Sequence, residues 1–251
     1  MARAKKRLWE SEGSALYGYT AYGYAAGGIG VSNIAKFETT RGTIYAGPCD
    51  DVIDEVPPGT PIVALAKQSC REAGVICAPI DDFDVEPIYN VALAIAAALD
   101  ALEKHGRVGI CCTGGCGRTG TVASILLAYV EGLDPDEAMQ RFSEKRGKEC
   151  PETEEQRKVV RVVATLLKRH GPERTLKLLA MIEMPWKIRV DGEEVECGMA
   201  PTIGKLSELV WSVIERIWGK GRRRKTIDDV KGELGDLYPV ARDLCTLASD
   251  A

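Results

Sequence analysis

The sequence predicts an α/β fold, a mainly parallel central sheet flanked by helices, followed by a mostly helical C-terminal appendage. Three observations carry this. Short apolar runs of strand length at 62–66 (IVALA), 75–80 (VICAPI) and 107–111 (RVGIC) alternate with longer helical stretches. The first of these is apolar throughout, as in a strand buried on both faces. A Gly-rich loop at 111–120 (CCTGGCGRTG) stands between the third run and an apolar helix at 121–130 (TVASILLAYV).

Residues 1–32 read as a tail, with Tyr17, Tyr19, Tyr22 and Tyr24 set among Gly and Ala in a low-complexity stretch. Folding is expected to start near Asn33. A two-strand opening at 37–39 and 43–46 turns at Arg41-Gly42, and Pro57-Pro58-Gly59 marks a loop. A short helical connection at 68–74 leads to the strand at 75–80, and an acidic loop, Asp81-Asp82-Phe83-Asp84, follows directly. Pro87 opens a helix that stops at His105-Gly106. Asp134 is placed to cap the next helix, with Pro135 at its first position and Gly147 as its stop. Thr153 and Gln156 form a capping-box pattern before a helix that ends near His170.

These elements make a domain over 33–170. The remainder, 171–251, predicts a helix at 172–184, a hairpin at 186–197 turning on Asp191-Gly192, and an amphipathic helix at 207–218. Two short final helices begin at Thr226 and Tyr238. The basic run at 219–225 (GKGRRRK) reads as a solvated loop, with a hold on an acidic partner or RNA as the alternative.

Composition narrows the classes. Of 251 residues 45% are hydrophobic, enough to fill a core, and the formal net charge of −4 argues against wholesale nucleic-acid binding. No apolar run approaches the ~18–20 residues of a membrane span. The basic start (MARAKKRLWESEG) lacks the apolar stretch of a secretory signal, so a cytoplasmic protein is expected. Asn occurs only at Asn33 and Asn90, and Gln only at Gln68, Gln140 and Gln156; with 28% charged residues this is a thermophile's composition. In that setting Cys49, Cys70, Cys77, Cys150, Cys197 and Cys245 read either as disulfide partners or as buried thiols.

The chemistry concentrates in the Gly-rich loop. Gly114, Gly115, Gly117 and Gly120 let the backbone turn tightly and bring its N–H groups near a ligand. N–H groups converging at a helix N-terminus favour an anion, most often phosphate, and the same field favours the thiolate of a cysteine at the start of the loop. Cys112 is followed six positions on by Arg118, whose guanidinium grips phosphate bidentately. Thr113, Gly114, Gly115, Cys116, Gly117 and Arg118 form the candidate phosphate cradle. Of the three loop cysteines only Cys112 has an arginine six positions on; six after Cys111 stands Gly117 and six after Cys116 stands Val122. The spacing of Cys111, Cys112 and Cys116 fits neither a redox pair nor the usual zinc pairs, so no metal is expected.

From Cys112 onward, C-T-G-G-C-G-R-T-G resembles the Cys-x5-Arg-Ser/Thr loop of cysteine-dependent protein phosphatases, most closely the dual-specificity branch. The resemblance covers about 34–170. It implies a Cys112 thiolate attacking phosphorus, Arg118 and loop N–H groups holding the oxygens, and Thr119 hydrogen-bonding the departing thiolate. No cofactor is implied, and an archaeal source is expected. The stretch API-DDFD resembles the family's Pro-Ile-x-Asp-Phe loop, which makes Asp82 the general acid with Asp81 and Asp84 as rivals. A Gln near the place of Gln156 positions water in the family, so Gln156 reads as cap or catalytic group. The family usually has His where this chain has Cys111. Thr113 and Cys116, in places where lipid-directed members often carry Lys, point to phosphorylated proteins as partners, phosphotyrosine first and phosphoserine or phosphothreonine second. An RNA 5′-phosphatase of the same fold and a phosphate-binding module without turnover are the alternatives.

Overall fold

The computed structural model describes residues 33–72, 74–183, 187–190, 193–195 and 227–250. The expected tail, the helix at 207–218, the basic run at 219–225 and the turn residues Asp191 and Gly192 lie outside them. A five-stranded sheet forms the centre: β1 (Ala35–Thr39), β2 (Gly42–Pro48), β3 (Ile62–Ala64), β4 (Val75–Cys77) and β5 (Arg107–Cys112), in the order β1-β2-β5-β3-β4. β1 runs antiparallel to β2 through the opening hairpin, and every other pairing is parallel. β5 is thus the middle strand, and its last residue, Cys112, pairs in register with Pro48.

Strand alternation gives β5 two different faces. Val108, Ile110 and Cys112 enter the main core, while Cys111 enters a smaller cluster with Cys49, Val52 and Ala64. That smaller cluster lies under α1 (Cys49–Glu55), a helix the sequence reading did not expect. Its seven residues are too few for a periodic signal, and they carry two acids, Asp50 and Asp51, in the first turn, where the helix dipole favours them.

Helices α2 (Ile88–His105), α3 (Gly117–Val130), α4 (Pro135–Arg146) and α5 (Glu154–His170) build the main core. α3 is buried along almost its whole length, so it shows no polar face in sequence. It begins at Gly117, inside the Gly-rich loop, rather than at residue 121. The stop and start signals hold: Gly106 and Gly147 end α2 and α4 in left-handed conformation, Asp134 caps α4, and Thr153 with Gln156 forms a capping box on α5. β3 and β4 are shorter than the apolar runs that contain them. Beyond Cys77 the chain turns, and Ala78 and Ile80 donate to the carbonyls of Ala64 and Leu65 instead of extending the ladder.

After His170 come α6 (Pro172–Leu179) and a three-stranded antiparallel sheet, β6 (Ile182–Glu183), β7 (Lys187–Val190) and β8 (Glu193–Val195). The helix expected at 172–184 stops at Leu179 because Met181 turns, its N–H bonding to the Leu178 carbonyl and its carbonyl to the Arg189 N–H. The expected hairpin is present as β7 and β8, with Val190 opposite Glu193. A helical turn at Lys231–Leu234 and a final helix α7 (Tyr238–Asp250) follow. Ile182, Ile188 and Val195 share one row of the small sheet. With Leu178, Leu179, Val240 and Leu244 they belong to the same hydrophobic core as the main sheet. Among the described residues, no helix is long and apolar enough to cross a membrane.

Candidate active site

The parallel strands end on one edge of the sheet, and the loop leaving the middle strand sits there, where α/β folds place their ligands. The loop turns over Gly47 and Pro48. Gly115 is left-handed with φ of 66°, and a Cβ on it would lie 2.3 Å from backbone atoms of Gly47 and Pro48, so only glycine fits. Its N–H is directed at the sulfur of Cys112, 3.3 Å away. Thr113 and Gly114 are exposed at the mouth, while 115–117 are buried and run into the first turn of α3. Cys112 is the one free cysteine among the described residues, and it is buried.

Arg118 rises from the first turn of α3 with its side chain only 6% exposed. It donates through Nη1 to the Ile80 carbonyl (3.2 Å), and its Nη2 lies 3.4 Å from the Thr113 hydroxyl and 2.9 Å from Asp82 Oδ1. Its Nε–H is buried with no acceptor among the described residues, so donor capacity remains for an anion. Gln68, from the segment after β3, hydrogen-bonds the Thr113 hydroxyl.

The acid loop separates its three aspartates. Asp82 reaches Arg118. Asp81 spends its backbone on a bond to the Glu86 carbonyl, and the Asp84 carboxylate accepts from Val85 N–H within its own turn. Phe83, at φ of 59°, takes the left-handed conformation that reverses the chain between them. Asn90, buried on the first turn of α2, donates to the Pro79 carbonyl (2.6 Å) and so pins the start of this loop.

Gln156 is fully buried and ties two segments together. Its Oε1 accepts from Glu152 and Thr153 N–H, completing the capping box, while its Nε2 donates to the Asp84 carbonyl (3.3 Å). It also lies over the Gly-rich loop: a Cβ on Gly117 would come 3.0 Å from Gln156 Nε2 and 2.5 Å from Glu152 Oε2. Cap and site neighbour are therefore one residue.

The hydroxyl of Thr119 is buried and has no hydrogen-bond partner among the described residues, so it is not bonded to the Cys112 sulfur. Arg146, at the end of α4, was not singled out in the sequence. Its Nη2 makes a long 3.5 Å contact with the Gly114 carbonyl. Burial pushes its guanidinium down from the ordinary arginine range, with Asp51 and Cys112 pulling it back up. It adds a second cation beside the loop. The only sequence signal was a basic residue in the last turn of a helix, which the helix dipole already explains.

The disulfides meet expectation in one pair, Cys70–Cys77, and depart from it in two, which draw in Cys111 and Cys116. Cys49 pairs with Cys111, Cys70 with Cys77, and Cys116 with Cys150. In the sequence Cys111 and Cys116 read as loop residues. In three dimensions the alternation of β5 turns Cys111 away from Cys112 and onto α1, and Cys116 faces the turn before α5. Cys197 lies outside the described residues.

No family model matches the chain, and no curated protein matches it. Solved structures do resemble it. Tk-PTP in the active form is 25% identical, with 54% of this chain and 97% of that chain covered at a TM-score of 0.42. A mutant form of Tk-PTP is also 25% identical, covering 55% of this chain and 99% of that chain at 0.45. Kinase associated phosphatase, with serine in place of its catalytic-site cysteine, is 19% identical, covering 55% and 96% at 0.44.

Proposed function

We propose that this protein is a cysteine-dependent phosphatase that hydrolyses phosphate monoesters on proteins, phosphotyrosine first and phosphoserine or phosphothreonine second. One observation carries the reading: a free, buried Cys112 receives a loop N–H on its sulfur, with the buried Arg118 in the same loop bound to the Asp82 carboxylate. That arrangement supports in-line transfer. The Cys112 thiolate attacks phosphorus, and Arg118 and the loop N–H groups take the equatorial oxygens. The ester bond breaks as Asp82 protonates the leaving oxygen. Water then attacks the cysteinyl-phosphate, Asp82 takes its proton, and thiolate and phosphate are released.

Cys112→Ser tests the reading. Turnover of an aryl phosphate is expected to vanish while binding of tungstate persists, because the cradle and Arg118 are unchanged. A Cys112→Ser protein that still turns over sinks the proposal, and a parent that binds tungstate without turnover makes the chain a phosphate-binding module.

A further inference from the structure

The phosphate loop is covalently tied at both ends, and the two ties differ in kind. The Cys49–Cys111 bond joins segments the sheet already holds, since Gly47 pairs with Cys111 in the β2–β5 ladder. The Cys116–Cys150 bond joins segments with no ladder between them. Cys116 is the last loop residue before α3, and Cys150 lies in the turn between α4 and α5. That turn is itself braced: Ser143 Oγ donates to the Cys150 carbonyl at 2.8 Å and accepts from its N–H at 2.9 Å. Two residues on, Glu152 N–H binds Gln156, which lies over Gly117 and reaches the acid loop through Asp84. Phosphate loop, acid loop and the Gln156 turn therefore meet at one point, and the disulfide sets the spacing between two of them.

We propose that the Cys116–Cys150 disulfide is a positioning device for the second half of the reaction, and that its reduction by a dithiol lowers turnover. The inference rests on the phosphatase reading above. Attack by Cys112 draws on the loop N–H groups and Arg118, all within the contiguous segment 112–118. Hydrolysis of the cysteinyl-phosphate needs a water held against phosphorus, and a misplacement of about 1 Å is enough to cost such a step some 10²-fold. Exchange with a dithiol leaves one thiol on Cys116 and one on Cys150, and the dithiol carries off the balance as its own disulfide. Both sulfurs are buried, so exchange proceeds through opening of the exposed segment at 147–149. The sign is notable for an enzyme with a thiol nucleophile, because a reductant slows it.

The test is stopped-flow turnover of an aryl phosphate, separating phenolate release from the steady state, on the parent and on Cys150→Ser, which removes the bond without touching the loop. The hydrolysis rate constant is expected to fall at least about tenfold in the variant, with the release phase and tungstate affinity kept within about threefold. A dithiol, with thiol counts confirming reduction, should slow the parent likewise and leave the variant's hydrolysis rate unchanged. An unaltered hydrolysis rate overturns the proposal. So does a parallel loss of both phases and of tungstate binding, or unfolding on reduction, since the bond is then only structural. A parent with no turnover at all fails the phosphatase reading instead.

Discussion

Among Asp81, Asp82 and Asp84, neighbours in one short turn, only Asp82 meets Arg118, because successive side chains in an extended loop point apart and Phe83 reverses the chain. A leaving group of low basicity barely needs protonation, whereas a tyrosine phenol, with a pKa near ~10, does. Asp82→Asn should therefore cut phosphotyrosine turnover by at least ~10²-fold and turnover of an activated aryl ester clearly less. It should also remove the alkaline limb of the pH–rate profile, which Asp81→Asn and Asp84→Asn leave in place. If the limb survives in Asp82→Asn and disappears in one of the others, the acid is misassigned by a loop shift. Cys112, Arg118 and Asp82 were legible in the sequence because each lies within a contiguous motif at a strand end. Arg146 and Asn90 were not, because their partners, Gly114 and Pro79, are on other elements.

Between elements, two side-chain contacts have separable effects. Asn90 couples α2 to the start of the acid loop. Asn90→Ala leaves the Pro79 carbonyl without its donor, at a cost of about 1 kcal/mol, measurable by denaturant unfolding. If the bond also aims Asp82, phosphotyrosine turnover should fall more than that of the activated ester. An equal fall on both would confine Asn90 to stability. At the other end of the molecule, Asp243 on α7 accepts from His170 Nε2 at 2.9 Å and pairs with Arg169 at 3.2 Å. Partial burial works against the Asp243 carboxylate, but the bonds from His170 and Arg169 outweigh it and hold the group below its ordinary range. A carboxyl lowered in the folded state stabilises above its unfolded value near ~3.9 and loses that contribution as pH falls through the folded one. Asp243→Asn should thus cost about 0.5 kcal/mol at neutral pH, with parent and variant converging as pH falls below the ordinary carboxylate range. A constant difference in melting temperature across that range would remove the ion pair as the cause.

For the molecule as a whole, the segment after His170 supplies Leu178, Leu179, Ile182, Ile188, Val195, Val240 and Leu244 to the common core. The candidate site residues all lie before it. A chain ended at His170 is expected to retain catalysis but to melt well below the parent, because the faces of α2 and α5 under α6 and α7 become exposed. A folded truncate without turnover would show instead that the later segment shapes the site.

What the sequence determined by itself was whatever depends on neighbours along the chain. Helix caps at Asp134 and Thr153, the stops at Gly106 and Gly147, the hairpin around Arg41 and the Cys112–Arg118 loop are local, since each is a contest among backbone groups a few residues apart. Tertiary structure decided where each cysteine went. Cys111 and Cys112 are adjacent in sequence, yet β5 sends one beneath α1 into a disulfide and leaves the other a free thiol at the start of the Gly-rich loop. Cys116 finds Cys150 only because α3, α4 and α5 pack together and bring residues 34 positions apart to a Cα distance of 5.3 Å. Pairing depends on that distance and on the direction of each Cβ, and neither is written in the spacing of cysteines along a chain.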